Sequence, residues 1–151
     1  MTPPQIDYGM VLLANVFNLL VVGVFLARAH RLRRLEWMLG LGVVLLALPA
    51  SVAIIANMLE GREWWTIVLP LFFLSYCILE FVLDYVLKSD FRKTDFLYTY
   101  LALFYLAALA LIGYSFGVQK LHGFITLGTY FLGLGAAWYS YRKVGHGSKD
   151  Y

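Results

Sequence analysis

Two acidic residues lie one helical turn apart in an otherwise apolar stretch, and they are the residues of this chain best suited to chemistry. Glu80 and Asp84 occur within the run 64–87, and Tyr76 precedes Glu80 by four residues. A helix would place all three side chains on one face, because residues four apart are neighbours on its surface. A carboxylate among apolar residues can bind a proton or a cation, or act as a general acid or base.

An ionised carboxylate in hydrocarbon costs about 2.5 to 3.5 kcal/mol, so Glu80 requires compensation. A bound proton would remove the charge, an arginine such as Arg28 or Arg142 would neutralise it, and a water-filled cavity would solvate it. Asp84 has a simpler solution, because Lys88 follows at i+4 and predicts an ion pair on one helix face.

Amide and hydroxyl side chains extend the polar pattern into other apolar runs. Asn15 and Asn18 lie one turn apart in the first run, and each buried amide needs hydrogen-bond partners. Asn57 or a threonine of the last run is the expected partner. A polar path would then continue through Tyr105 and Tyr76 to Glu80. The candidate substrate- or ion-binding residues are therefore Glu80, Asp84, Tyr76, Asn15, Asn18, Asn57, Tyr98 and Tyr105.

The elements that position these residues are long and apolar. The chain has 151 residues, of which 62% are apolar and 14% charged. Soluble domains are roughly half apolar and about a quarter charged.

Runs apolar on every side exclude barrel strands, and a crossing helix needs about 20 such residues. The sequence predicts an all-α, polytopic membrane protein, a compact five-helix transmembrane bundle in one domain, 1–151. Its helices are expected at about 8–27, 37–59, 64–87, 96–116 and 124–141. Pro49 predicts a kink in the second helix.

The basic residues predict the orientation, since cytoplasmic loops carry an excess of Lys and Arg. Ten of the 12 lie at one end, which places the N-terminus outside and the C-terminus in the cytoplasm, in the cell membrane of a prokaryote. The opposite end has only Arg62 and Lys120, and Glu60, Arg62 and Glu63 are interpreted there as a solvated charged turn. Aromatic side chains are expected as interfacial anchors at Tyr8, Trp64, Trp65 and Tyr114 on one side and Trp37, Tyr98, Tyr100, Trp138, Tyr139 and Tyr141 on the other.

Several classes of function lack a signature. The single cysteine, Cys77, excludes an internal disulfide, and His30, His122 and His146 share no helix face with a second metal ligand. We therefore expect no metal and no cofactor. The basic residues lie in short loops without interleaved aromatics, so nucleic-acid binding is not expected either.

Three functions remain open. The first is transport or permeation of a proton, a cation or a cationic small molecule at Glu80, within a homo-oligomer if a pore is needed. The second is a membrane-embedded enzyme acting on a lipid or other apolar substrate, with Glu80 as acid or base. The third is a non-catalytic subunit or assembly factor of a larger membrane complex. In all three the lipid bilayer is the expected partner.

Overall fold

The computed structural model describes residues 3–88, 91 and 94–145, and these residues are almost entirely helical. The seven helical elements given below include two pairs that are consecutive without a loop, so the described residues form five helices. The all-α prediction is confirmed. Arg92, Lys93, His146 and Lys149, which entered the sequence predictions, lie outside the described residues. The elements are α1 (Pro3–Ala29), α2 (Arg33–Leu45), α3 (Ala47–Leu59), α4 (Trp65–Glu80), a π-helical segment (Phe81–Val86), α5 (Phe96–Val118) and α6 (Lys120–Val144).

Four of the helices are long and apolar enough to cross a membrane. They are Pro3–Ala29, Arg33–Leu59, Trp65–Val86 and Phe96–Val118. Helix α6 has 25 residues, which is long enough, but its sequence is less apolar. The helices extend beyond most of the predicted runs, because polar residues at their ends continue the backbone hydrogen bonding.

Helices α2 and α3 are separated by a single residue, Leu46. Pro49 has no N–H to donate to the carbonyl of Leu45, and its ring disfavours a straight continuation. The N–H of Leu46 instead lies 3.3 Å from the carbonyl oxygen of Gly42 and 3.2 Å from that of Val43. The regular helix is therefore interrupted close to Pro49, and the kink predicted there stays a prediction.

Helix α1 lies at the centre of the bundle. It packs against α2, α3, α5 and α6, while α4 packs against α3 and α5. Phe17 is fully buried, and its ring centroid lies 5.1 Å from that of Phe73 in α4. We call the end with Arg28, Arg33 and Lys143 the basic end, and the end with the α3–α4 turn the opposite end.

A polar cluster holds four helices together at the opposite end. The Arg62 guanidinium donates two hydrogen bonds to the Asp7 carboxylate, at 2.8 and 2.9 Å, and a third to the side-chain oxygen of Asn57. Tyr114 of α5 donates to Asp7 at 2.9 Å, and the Asn57 amide donates to the Thr66 carbonyl of α4. Asn57, Thr66 and Tyr114 are at most 1% exposed.

This cluster corrects two interpretations of the sequence. Arg62 is not part of a solvated turn, although Glu60 and Glu63 are exposed. The hydrogen bond to Asp7 raises the pKa of Arg62 against the effect of desolvation, so the guanidinium stays charged. Tyr114 is buried among helices instead of anchoring at the membrane interface, because its hydroxyl has a carboxylate partner inside the bundle.

We expect Asp7→Ala and Arg62→Ala each to lower the free energy of unfolding by about 2–4 kcal/mol, because each leaves a half-buried charge without its partner. Unfolding of the purified chain in detergent, followed by circular dichroism, measures the loss. The double variant should lose much less than the two single losses added together. Glu60→Ala, an exposed change at the same end, is the matched control. Additive losses would show that the two residues act independently.

Candidate functional site

A cavity of about 370 Å³ occupies the basic half of the bundle, and all five helices line it. Its lining begins about halfway along the bundle, at Asn18 in α1, Tyr76 in α4, Tyr105 in α5 and Tyr130 in α6. From there it continues towards the basic end as far as Gly145. The cavity therefore lies in the basic half and does not extend to the opposite end. Its size falls within the range of about 300–1,000 Å³ that is usual for small-molecule sites.

Glu80 lies in this cavity and is only 8% exposed. The Tyr100 hydroxyl of α5 donates a hydrogen bond of 2.5 Å to the Oε2 atom of Glu80. The Tyr76 hydroxyl lies 3.2 Å from the Tyr100 hydroxyl. Three ionisable side chains from two helices thus form a hydrogen-bonded chain along the cavity wall.

The helical spacing of α4 explains why Glu80 points inward. Phe73, Tyr76 and Cys77 share its face and are all buried. Directly after Glu80 the backbone widens into the π-helical segment, where the N–H of Leu87 bonds to the carbonyl of Val82 at 2.8 Å. Such widened turns are frequent at functional sites.

The widened turn also changes the surroundings of Asp84. The ion pair predicted between Asp84 and Lys88 is wrong: among the described residues, Lys88 makes no ion pair with Asp84. The i+4 rule assumes α-helical spacing, and the π-helical segment removes that alignment. Lys88 has a φ of 48°, so it already lies outside the helix. Asp84 itself is half-buried and is not part of the cavity lining.

The two arginines expected to neutralise Glu80 have other partners. The Nε atom of Arg28 lies 2.8 Å from the Oε1 atom of Glu36, which forms an ion pair between α1 and α2. The guanidinium of Arg142 lies over the ring of Trp138, 4.3 Å from its centroid. Arg28 lines the cavity with its charge already offset by Glu36.

The inner limit of the cavity is a network of hydrogen bonds between α1 and α6. Asn15 donates to the Thr126 hydroxyl at 3.1 Å, and Asn18 donates to the Thr129 hydroxyl at 2.9 Å. Thr129 in turn donates to the side-chain oxygen of Asn15, and Thr126 bonds to Ser115 of α5. The predicted pairing of the two asparagines with threonines is confirmed.

The other candidate residues have separate positions. Asn57 belongs to the polar cluster at the opposite end and does not reach Asn15 or Asn18. Tyr98 is 74% exposed on the surface. The structure therefore brings four of the eight candidates into the cavity lining, namely Glu80, Tyr76, Asn18 and Tyr105.

Ser140 is a site residue that sequence reasoning missed. It lines the cavity and is 1% exposed, and among the described residues its Oγ atom is the one buried side-chain atom without a hydrogen-bond partner. Tyr100 was also missed, since it was interpreted as an interfacial anchor. Leu97, Tyr100, Leu101 and Phe104 have the spacing i, i+3, i+4 and i+7, so they share one face of α5, and all four line the cavity. This spacing could have identified Tyr100 as an inward-facing residue.

The described residues contain no group of three or more His, Cys, Asp and Glu side chains that could hold a metal ion. Comparisons with models of protein families, with curated proteins and with solved structures find no match to this sequence.

We expect Ser140→Ala to raise the free energy of unfolding of the ligand-free protein by about 0.5–2 kcal/mol, because it removes a buried hydroxyl without a partner. Ser115→Ala is the matched control. Its hydroxyl bonds to the Leu111 carbonyl and accepts from Thr126, so its removal should destabilise the protein. Thermal unfolding in detergent compares the two. A destabilised Ser140→Ala variant would contradict the assignment of an unpartnered hydroxyl.

Proposed function

We propose that this chain is a multi-pass membrane carrier that binds a proton or a cationic small molecule at Glu80. The observation that carries the proposal is a buried carboxylate, hydrogen-bonded to Tyr100, inside a cavity that ends halfway through the bundle. Ionisable residues within membrane-crossing helices mark ion and substrate pathways more often than structural roles.

Five crossing helices are part of the proposal, although α6 is less apolar than the others. At 1.5 Å per residue its 25 residues extend about 38 Å, more than the roughly 30 Å of a bilayer core. Its lower apolar content is explained by glycines and by hydroxyls that bond inside the bundle, such as Thr126 and Thr129. Polar groups that are satisfied internally do not prevent a helix from crossing.

Transport through this chain requires a conformational change. The cavity lining stops at Asn18, and the polar side chains beyond it are bonded to one another. A substrate reaching Glu80 from the basic end has no described path onward. A carrier that alternately exposes its site therefore fits the geometry better than a permanently open pore.

A second candidate function is supported by the chain of Tyr76, Tyr100 and Glu80. Hydrogen-bonded hydroxyls beside a carboxyl group can relay a proton to or from a bound substrate. A membrane-embedded enzyme acting on an apolar substrate would use Glu80 as general acid or base. A chemically altered product recovered from the vesicles described below, rather than the unchanged probe, would favour this alternative.

We expect Glu80→Gln to lower uptake at least tenfold in reconstituted vesicles, measured with ethidium as an organic-cation probe and an internal pH-sensitive dye for protons. The amide keeps an oxygen that can accept from Tyr100 but carries no charge, so the fold should persist while cation binding is lost. Retained uptake and proton movement in this variant would exclude Glu80 as the site.

A matched pair of glycine variants tests the cavity itself. Gly133 lines the cavity, and a Cβ there would lie an ordinary 3.9 Å from Val21, so Gly133→Leu should fill the space. Gly135 faces outward with nothing within 4 Å of a Cβ, so Gly135→Leu should leave uptake unchanged. Equal uptake by both variants would show that the cavity is not used.

The proposed topology places Gln119 and Lys143, both exposed, on opposite sides of the membrane. In a Cys77→Ala background, we expect a membrane-impermeant maleimide applied to intact cells to label Gln119→Cys but not Lys143→Cys. Inverted vesicles should show the reverse. Labelling of both cysteines from one side would mean that α6 does not cross.

A further inference from the structure

The wall of the cavity is mainly apolar, and eight of its 22 residues are aromatic. Aromatic faces bind apolar groups and organic cations, whereas a small inorganic cation prefers several oxygen ligands at short distance. A ligand with a large apolar part fits this wall better than a hydrated ion. The aromatic lining residues are Phe25, Tyr76, Tyr100, Phe104, Tyr105, Tyr130, Trp138 and Tyr141.

Four lining residues are also exposed, namely Tyr105, Trp138, Tyr141 and Gly145. Tyr105 of α5 is 38% exposed and Trp138 of α6 is 59% exposed, although both line the cavity. The cavity therefore reaches the side of the bundle between these helices. In the proposed topology, that side faces the hydrocarbon of the bilayer.

Side-chain contacts hold α5 against α6 near the opposite end. The rings of Phe116 and Phe124 lie 5.2 Å apart there, and the hydroxyls of Thr126 and Ser115 are 3.0 Å apart. Towards the basic end, side chains of both helices line the cavity. The seam between α5 and α6 can thus separate at the basic end while its other half remains closed.

Beside the cavity lies a polar group that has no partner in the protein. Ser140 is one of the lining residues, and its hydroxyl is buried without a hydrogen-bond partner among the described residues. A buried hydroxyl without a partner costs free energy, and a polar group of a ligand would remove that cost.

We infer that the ligand is an amphiphile dissolved in the membrane, which enters sideways through the seam between α5 and α6. Its apolar part contacts the aromatic side chains of the wall, and its polar group bonds to Ser140. This inference rests on the proposed function, because it names the kind of molecule that the carrier binds and the route by which it arrives.

The access route is tested by the labelling of single cysteines in the full chain with Cys77→Ala. Ala137→Cys reports on the cavity, which Ala137 lines in a half-buried position. Gly135→Cys reports on the lipid-facing surface, and Lys143→Cys on the aqueous surface. Each variant in vesicles is treated with N-phenylmaleimide, which partitions into lipid, and with a charged, membrane-impermeant thiosulfonate applied from the basic end.

Sideways access predicts that Ala137→Cys reacts like Gly135→Cys. The lipophilic reagent should label it at least tenfold faster than the charged one, whereas Lys143→Cys reacts with both. Labelling of Ala137→Cys by the charged reagent at the rate of Lys143→Cys would show an aqueous mouth and overturn the inference. No labelling by either reagent would overturn it too.

The nature of the ligand is tested by binding of two probes that share a head group. Dodecyltrimethylammonium should bind saturably and tetramethylammonium should bind at least tenfold more weakly, measured by the change in protein fluorescence. Ser140→Ala should weaken the binding of dodecylamine more than that of either quaternary cation, since a quaternary ammonium has no hydrogen to donate. Dodecylamine, which has N–H donors, should lose affinity several-fold.

Equal binding of the two quaternary cations would indicate a water-soluble substrate and overturn the amphiphile. Unchanged dodecylamine affinity in Ser140→Ala would overturn the polar contact. Neither result tests the proposed function, because the loss of uptake in Glu80→Gln is measured independently of the ligand's entry route. If uptake depends on Glu80 and the cavity opens to water, the carrier proposal stands and only sideways access is rejected.

Discussion

Polar side chains within long apolar helices need partners inside the protein, because hydrocarbon offers none. This constraint accounts for most of the architecture. At the opposite end, Asp7, Arg62 and Tyr114 satisfy one another across three segments of the chain. Midway along the bundle, amides of α1 are satisfied by hydroxyls of α6. The rotation of each helix about its axis follows from these pairings as much as from apolar packing.

The basic half follows the same rule less completely. Its side chains surround open space instead of filling it, and the Ser140 hydroxyl lacks a partner among the described residues. Unfilled volume and an unsatisfied hydroxyl both lower stability. The π-helical segment after Glu80 is a further departure from regular structure at the same place. Three departures in one region are typical of a site where binding takes precedence over packing.

The two halves differ in how they can move. The bonded networks from the opposite end to Asn18 cross-link α1, α5 and α6, so separating them there would break several hydrogen bonds together. In the basic half, side chains of both α5 and α6 line the cavity, and among the described residues Arg28 and Glu36 form an ion pair between α1 and α2. A rearrangement that changes access to Glu80 would therefore begin in the basic half.

Much of this could be read from the sequence, because helix spacing and hydropathy are local properties. The long runs that are apolar on every side predicted an all-α chain with long helices, and the four-residue spacing of Tyr76 and Glu80 determined their common inward face. The interruption before Pro49 agrees with its missing N–H. Only the tertiary structure decided the partners: Asp7 meets Arg62 and Tyr114, Glu80 meets Tyr100, and Lys88 does not meet Asp84. Partner choice depends on how helices distant in sequence rotate against one another, and a single π-helical turn changes that alignment without a signal in composition.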